Sequence, residues 1–170
     1  MQENKTANSE DFTDIFRVPA RGRVLALDIG TKNIGVAVSD EIQFTVRALQ
    51  TLKRTNWKKL LSQVKDLLKE FDAVGLVLGL PLGFYGTETE MSADVRRLAR
   101  NFSLSLDLPV ILQDERVSSI AAREKLFELG HNLKEIRKRV DSEAAAIILQ
   151  DFIDRRKVYR HEDTEGTKNF

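Results

Sequence analysis

The chain has no cysteine and only two histidines, His131 and His161. The first absence excludes disulfides and thiolate zinc sites, and the second argues against a histidine-rich metal site. Metal chemistry here would have to use carboxylates, which favours hard cations such as Mg²⁺ or Mn²⁺. No run approaches the ~18 apolar residues of a membrane span. Net charge is also nearly missing: 27 Lys and Arg face 26 Asp and Glu. Any nucleic-acid surface must therefore be a local patch. The first 20 residues carry Glu3, Glu10, Asp11 and Asp14 without a hydrophobic segment, unlike a secretory signal, so a cytoplasmic protein is expected. What is present, 170 residues with 42% hydrophobic and 31% charged, suits one globular domain with a sizeable core.

The chain is organised around residues 23–40. An apolar run, Val24 to Leu27, and a second, Ile34 to Val38, flank Asp28, Gly30, Thr31, Lys32 and Asn33. Two such runs split by a short Gly-containing turn predict a β-hairpin. The lack of alternation predicts that both faces of the sheet are covered. Asp28 is the odd residue, because a carboxylate ending a buried strand is costly without a cation or hydrogen bonds. It either caps the turn, as Asp often does, or serves as a metal ligand or general base.

The remaining pattern reads as alternating elements. Residues 1–20 read as a flexible leader. Residues 43–51 alternate as a third, antiparallel edge strand. Asn56 caps a helix whose apolar residues, from Trp57 to Phe71, fall at steps of three and four. Residues 74–78 form a fourth strand, running into the Gly- and Pro-punctuated loop 79–86. Thr87 and Glu90 match a capping box for the next helix. Residues 110–113 form strand five, ending in Asp114-Glu115-Arg116. Ser118 or Ser119 then caps a helix that stops at Gly130. Residues 131–140 read as a mobile connection or short exposed helix, 141–153 as the last helix, and 155–170 as a disordered charged tail. The expected fold is α/β, a mixed five-stranded sheet with helices on both faces, as one domain over 21–154. Its first three strands are antiparallel, and strands one, four and five are parallel.

Parallel strands share one carboxyl edge, where ligands bind in such sheets. Asp28, the 79–86 loop and Asp114-Glu115 all end there. Asp141 opens the stripe of Ala145, Ile148, Leu149 and Phe152, either as an N-cap or as another inward acid. Clustered carboxylates repel one another, and divalent cations relieve that repulsion. Two such ions ~4 Å apart support phosphodiester hydrolysis. Candidate phosphate contacts are Thr31, Lys32, Arg116, Arg97, Arg100, Arg137 and Lys138. Residues 116–139 hold seven Arg or Lys against three Glu, although a solvated helix face gives the same pattern. Phe84 and Tyr85 could stack on an unpaired base, but a loop packed on the core is the favoured reading.

Four motifs carry a family resemblance. They are Leu-Asp-Ile-Gly-Thr-Lys-Asn-Ile-Gly-Val-Ala-Val-Ser-Asp, Gly-Leu-Pro-Leu followed by Gly-Thr-Glu, Asp-Glu-Arg-Val-Ser-Ser, and Val-Asp-Ser-Glu-Ala-Ala-Ala-Ile-Ile-Leu-Gln. In order and spacing, over roughly 21–153, they resemble the YqgF family, also called RuvX. The resemblance implies an RNase H-like fold and a divalent-metal-dependent nuclease maturing the 5′ end of 16S ribosomal RNA. It implies catalytic and metal-binding roles for Asp28, Glu115 and Asp141, with Asp114 beside them. The partner would be a precursor rRNA, within a ribosomal particle, or branched DNA. Symmetric cutting of two strands would call for a homodimer rather than a monomer. One departure stands out: Gly83-Phe84-Tyr85 replaces the family's usual Asn-Met-Asp.

Two other readings compete. Asp-Ile-Gly-Thr also resembles the first phosphate loop of the sugar kinase and actin superfamily, but that architecture needs two related lobes, for which this chain has neither length nor repeat. A non-catalytic nucleic-acid or ribosome-associated module would keep the acids for stability alone.

Overall fold

In a computed structural model of the chain, residues 11–115 and 133–165 are described, with side chains described over 11–115 and 143–160. Strands β1 (Arg23–Ile29) and β2 (Asn33–Ser39) form the expected hairpin, from Leu25 opposite Val38 to Ile29 opposite Ile34. The Gly30 N–H closes the turn on the Asn33 carbonyl at 3.0 Å. A Cβ on Gly30 would stand 2.4 Å from that oxygen, so the turn excludes side chains there.

The expected third strand is instead two short ones, β3 (Val46–Ala48) and β4 (Leu52–Lys53), both antiparallel to β2. The Asp40 carboxylate accepts the N–H groups of Phe44 and Thr45 at 2.7 and 3.2 Å, and Gln43 adopts φ 54°. This side-chain-stabilised turn absorbs residues 43–45 that alternation had assigned to a strand. The sheet therefore has six strands rather than five. Strand β5 (Ala73–Leu80) lies parallel to β1, and β6 (Val110–Asp114) parallel to β5, in the order β3-β2-β1-β5-β6 with β4 also on β2.

Alternation along the strands builds two cores. Leu25, Leu27, Ile29, Leu76 and Leu78 face helices α1 (Trp57–Glu70) and α2 (Glu90–Ser105). Val24, Ala26, Val77 and Ile111 face Ala145, Ile148, Leu149 and Phe152 of helix α3 (Leu133–Glu165). Covering on both sides accounts for the unbroken apolar runs. Asn56 caps α1 by accepting the Lys59 N–H at 2.9 Å. For α2 the cap is Thr89 with Ser92, not Thr87 with Glu90. The Thr87 hydroxyl is instead engaged with the Phe84 carbonyl in the preceding turn.

The chain ends also depart from expectation where they are described. Residues 11–20 are not loose: a single 3-10 turn (Ile15–Arg17) follows Asp14, Ile15 and Val18 are buried, and the Phe12 carbonyl accepts the Leu112 N–H on the edge of β6. Helix α3 begins before Asp141 and runs past Ile153 to Glu165, through much of the expected connection and tail. Arg156, only 4% exposed, explains part of this. Its guanidinium donates to the Val18 carbonyl at 2.8 Å and to Gln43 Oε1 at 2.7 Å. Gln43 in turn donates to the Pro19 and Gly22 carbonyls. The helix expected between Ser118 and Gly130 lies outside the described residues. Among the described residues, no helix is long and apolar enough to cross a membrane.

Candidate functional site

Strands β1, β5 and β6 end at one rim, which brings Asp28, Leu80 and Asp114 together. Leu80 pairs with Asp114 in register, and its carbonyl accepts the Glu115 N–H at 3.2 Å. Asp28 follows Leu27, which pairs with Leu78. Strand alternation points Asp28 to the α3 side, along with Val24 and Ala26.

Glu115 reaches the same side. A Cβ built on Gly79 would stand 2.6 Å from Glu115 Oε2 and 2.5 Å from Ile148 Cδ1. Glycine at 79 therefore opens the niche in which the carboxyl group lies against α3. Burial pushes the Glu115 carboxyl up to about 8, helped by the Asp28 charge, a side-chain hydrogen bond with Asp28, and the Asp114 charge. Below that pH, Glu115 keeps its proton and donates it to the Asp28 carboxylate. Two of the three expected core acids are thus in contact, with Asp114 close enough to be felt.

Asp141 lies on α3, but its side chain is outside the described residues. The helix direction still locates its turn. Ile148 packs at Gly79, near the rim, while Arg156 is bound at Val18 and Gln43, near the start of β1. Seven residues before Ile148 is ~10 Å along the axis, on the rim side. The position falls on the helical stripe of Ala145, Ile148 and Phe152, and those three residues are buried against the sheet.

Among the described residues, no group of three or more His, Cys, Asp or Glu forms a ready metal cage. The residues present nevertheless suit a hard cation. Three carboxyl groups interact unfavourably as anions, and a fourth acid sits on the adjoining helix. Gln113, which pairs with Gly79, adds a buried Oε1 with no hydrogen-bond partner among the described residues. A buried oxygen acceptor of that kind calls for a water or a cation. Sequence reasoning missed Gln113. Its position, two residues beyond Ile111 on an alternating strand, was the available signal.

The expected cations divide. Thr31 and Arg97 line one depression of about 740 Å³ between the β1–β2 turn and the start of α2, together with Arg54, Glu90 and Asp94. Asp94 pairs with both Arg54 and Arg97, and Glu90 on the same wall balances the second cation. Arg54, which sequence reasoning missed, also donates to the Gly30 carbonyl at 3.1 Å and braces the turn bearing Thr31. Lys32 and Arg100 are exposed. Arg96 is paired with Glu88 at 2.7 Å. Arg116 lies outside the described residues, as do the side chains of Arg137 and Lys138.

The loop reading is corrected. Phe84 and Tyr85 do not pack on the core: they are 89% and 99% exposed. They occupy a 3-10 turn (Phe84–Gly86) held by Gly83 N–H to Thr87 carbonyl at 2.8 Å and Gly86 N–H to Gly83 carbonyl at 3.1 Å. Tyr85 takes φ 63°, which directs its ring away from the protein at a backbone cost.

The chain is similar in sequence and in fold to known proteins. Residues 22–155 match the family model described as "RuvX: Holliday junction resolvase". A protein of Anaeromyxobacter sp. (strain K), named "Putative pre-16S rRNA nuclease", is 40% identical over 134 residues, 79% of this chain and 98% of that protein. One of the same name from Cereibacter sphaeroides is 38% identical over 146 residues, 86% of this chain and 90% of its own. The T. thermophilus RuvC structure, in complex with Holliday junction substrate, superposes with a TM-score of 0.51 at 15% identity, over 80% of this chain and 96% of that one. The shared fold is the RNase H-like one.

Proposed function

The chain belongs to the RuvX family, and from that premise we propose a metal-dependent endonuclease that hydrolyses phosphodiester bonds in the 5′ region of precursor 16S rRNA. The observation that carries this reading is the Asp28–Glu115 contact at the common end of the parallel strands, with Asp114 beside it.

The roles follow from the geometry. Asp28, Glu115 and Asp141 would hold divalent ions, with Asp114 and the Gln113 Oε1 at their margin. A divalent cation bound there supplies Lewis-acid activation of water and neutralises charge on the phosphate. The protein's own part is to fix the acids on rigid strand ends and to exclude bulk water through α3. Glu115 must lose its proton for the acids to serve as ligands, so metal binding strengthens as pH rises. Thr31, Lys32, Arg54, Arg97 and Arg100 would steer the polyanion along the rim.

The test is cleavage of precursor-rRNA mimics, four-way DNA junctions, duplexes and single strands, with cut positions mapped, in Mg²⁺ or Mn²⁺. The reading expects cuts in the rRNA mimic by the parent protein and none by Asp28→Asn. Preference for the four-way junction would favour branched-DNA resolution at the same site. Equal cutting by parent and variant would reject the assignment.

A further inference from the structure

The nuclease reading leaves the Phe84–Tyr85 pair unused. Large aromatic rings seldom stand in water without a reason, because each forfeits its burial. Here two adjacent rings do so, 89% and 99% exposed, in a turn closed by three hydrogen bonds. The turn is anchored at both ends: the Thr89 hydroxyl donates to the Pro81 carbonyl at 3.0 Å, and the Leu82 N–H to the Leu80 carbonyl at 3.0 Å. Tyr85 sits at φ 63°, where a bulky residue is strained. Strain in a well-bonded turn that presents a ring to solvent marks a feature held for contact.

Position names the contact. The loop leaves the sheet at Leu80, whose carbonyl holds the Glu115 N–H. Its far end opens α2, beside the depression lined by Thr31, Arg54 and Arg97. The loop that carries the rings therefore runs from the acidic rim to the wall that holds Arg54 and Arg97. Bases within a duplex are already stacked, whereas unpaired bases present free faces to aromatic side chains.

We propose that Phe84 and Tyr85 form a stacking platform for unpaired bases beside the scissile phosphate, so that this chain selects nucleic acid that is single-stranded next to the cut. The inference rests on the nuclease reading for its substrate, but its test reads binding rather than cleavage.

The full chain carrying Asp28→Asn is titrated with an RNA duplex bearing a single-stranded overhang. In successive oligonucleotides, 2-aminopurine occupies each unpaired position. A fully paired duplex is the control. Stacking quenches the fluorescence at one or two positions in the overhang. Adding Phe84→Ala and Tyr85→Asn abolishes the quench and weakens overhang binding about tenfold or more, while duplex binding stays within about twofold. Asn tolerates φ > 0, so the turn survives the change, and an unaltered Tm verifies this. Tyr85→Phe keeps both quench and affinity. Unchanged overhang binding and quench in the double variant would overturn the platform, as would equal loss on overhang and duplex. Cleavage by the parent protein is scored separately, so failure of the nuclease reading shows as absent cutting and failure of the platform as absent discrimination.

Discussion

Glu115 sets the electrostatics of the rim. Burial, the Asp28 charge and hydrogen bond, and the Asp114 charge together raise its carboxyl from 4.5 to about 8. An acid raised on folding stabilises the fold below its unfolded pKa and loses that contribution as pH climbs through the folded one. In the metal-free protein the contribution of Glu115 to stability is therefore lost between about pH 4.5 and 8. Glu115→Gln flattens that loss, and urea denaturation across the range measures both. Millimolar Mn²⁺ acts in the opposite sense, raising Tm more at pH 8 than at pH 6, because ligands must first deprotonate. Asp28→Asn lowers cleavage ~10³-fold or more while leaving the fold intact. Gly79→Ala drives a methyl group into Ile148 and Glu115 and costs about 1–3 kcal/mol, read by the same denaturation. At this scale Asp28 was legible, because a carboxylate closing an apolar strand is too costly to stand there without a cation or a hydrogen-bonding partner, whereas only the family resemblance singled out Glu115 from Asp114. Gln113 and Arg54 were not, because ordinary polar residues acquire a role only once register and neighbours are fixed.

Helix α3 joins the acidic rim to the opposite end of the sheet. Its buried stripe continues from Phe152 to Arg156, one turn on, where a charged residue occupies a core position. The apolar period in the sequence stops at Ile153, so the helix reads as ending there. The guanidinium continues it by binding Gln43, Val18 and Pro19 while its carbon stem stays buried. Replacing it by Met removes the donor from these acceptors and costs about 2 kcal/mol or more, measurable by urea unfolding. The split of the third strand was hidden for a related reason. Residues 43–51 do alternate, but the Asp40 side chain captures two backbone N–H groups and bends the chain before pairing begins.

For the molecule as a whole, residues 12–18 and Arg156 lie outside the span matched by the family model, and they meet each other at the Val18 carbonyl while Phe12 covers the β6 edge. A chain beginning at Arg21 loses the burial of Ile15 and Val18, about 3 kcal/mol or more. It also uncovers the outer edge of β6, an invitation to self-association that sedimentation would reveal. Phe12, Ile15 and Val18 recur every three residues, but three positions between Asp11, Asp14 and Pro19 are too few to specify an edge cover from the sequence. The layered α/β architecture could, since alternating elements and right-handed crossovers leave few arrangements.

The central claim is that acids from separate strands and α3 share one cation site at the rim. Anomalous diffraction from crystals soaked in Mn²⁺ above pH 8, where Glu115 is ionised, tests it most directly. The account predicts Mn²⁺ ligated by Asp28 and Glu115, with Asp141 of α3 completing the site. Ordered acids with no ion between them at millimolar Mn²⁺, or ions bound only elsewhere on the surface, would contradict it.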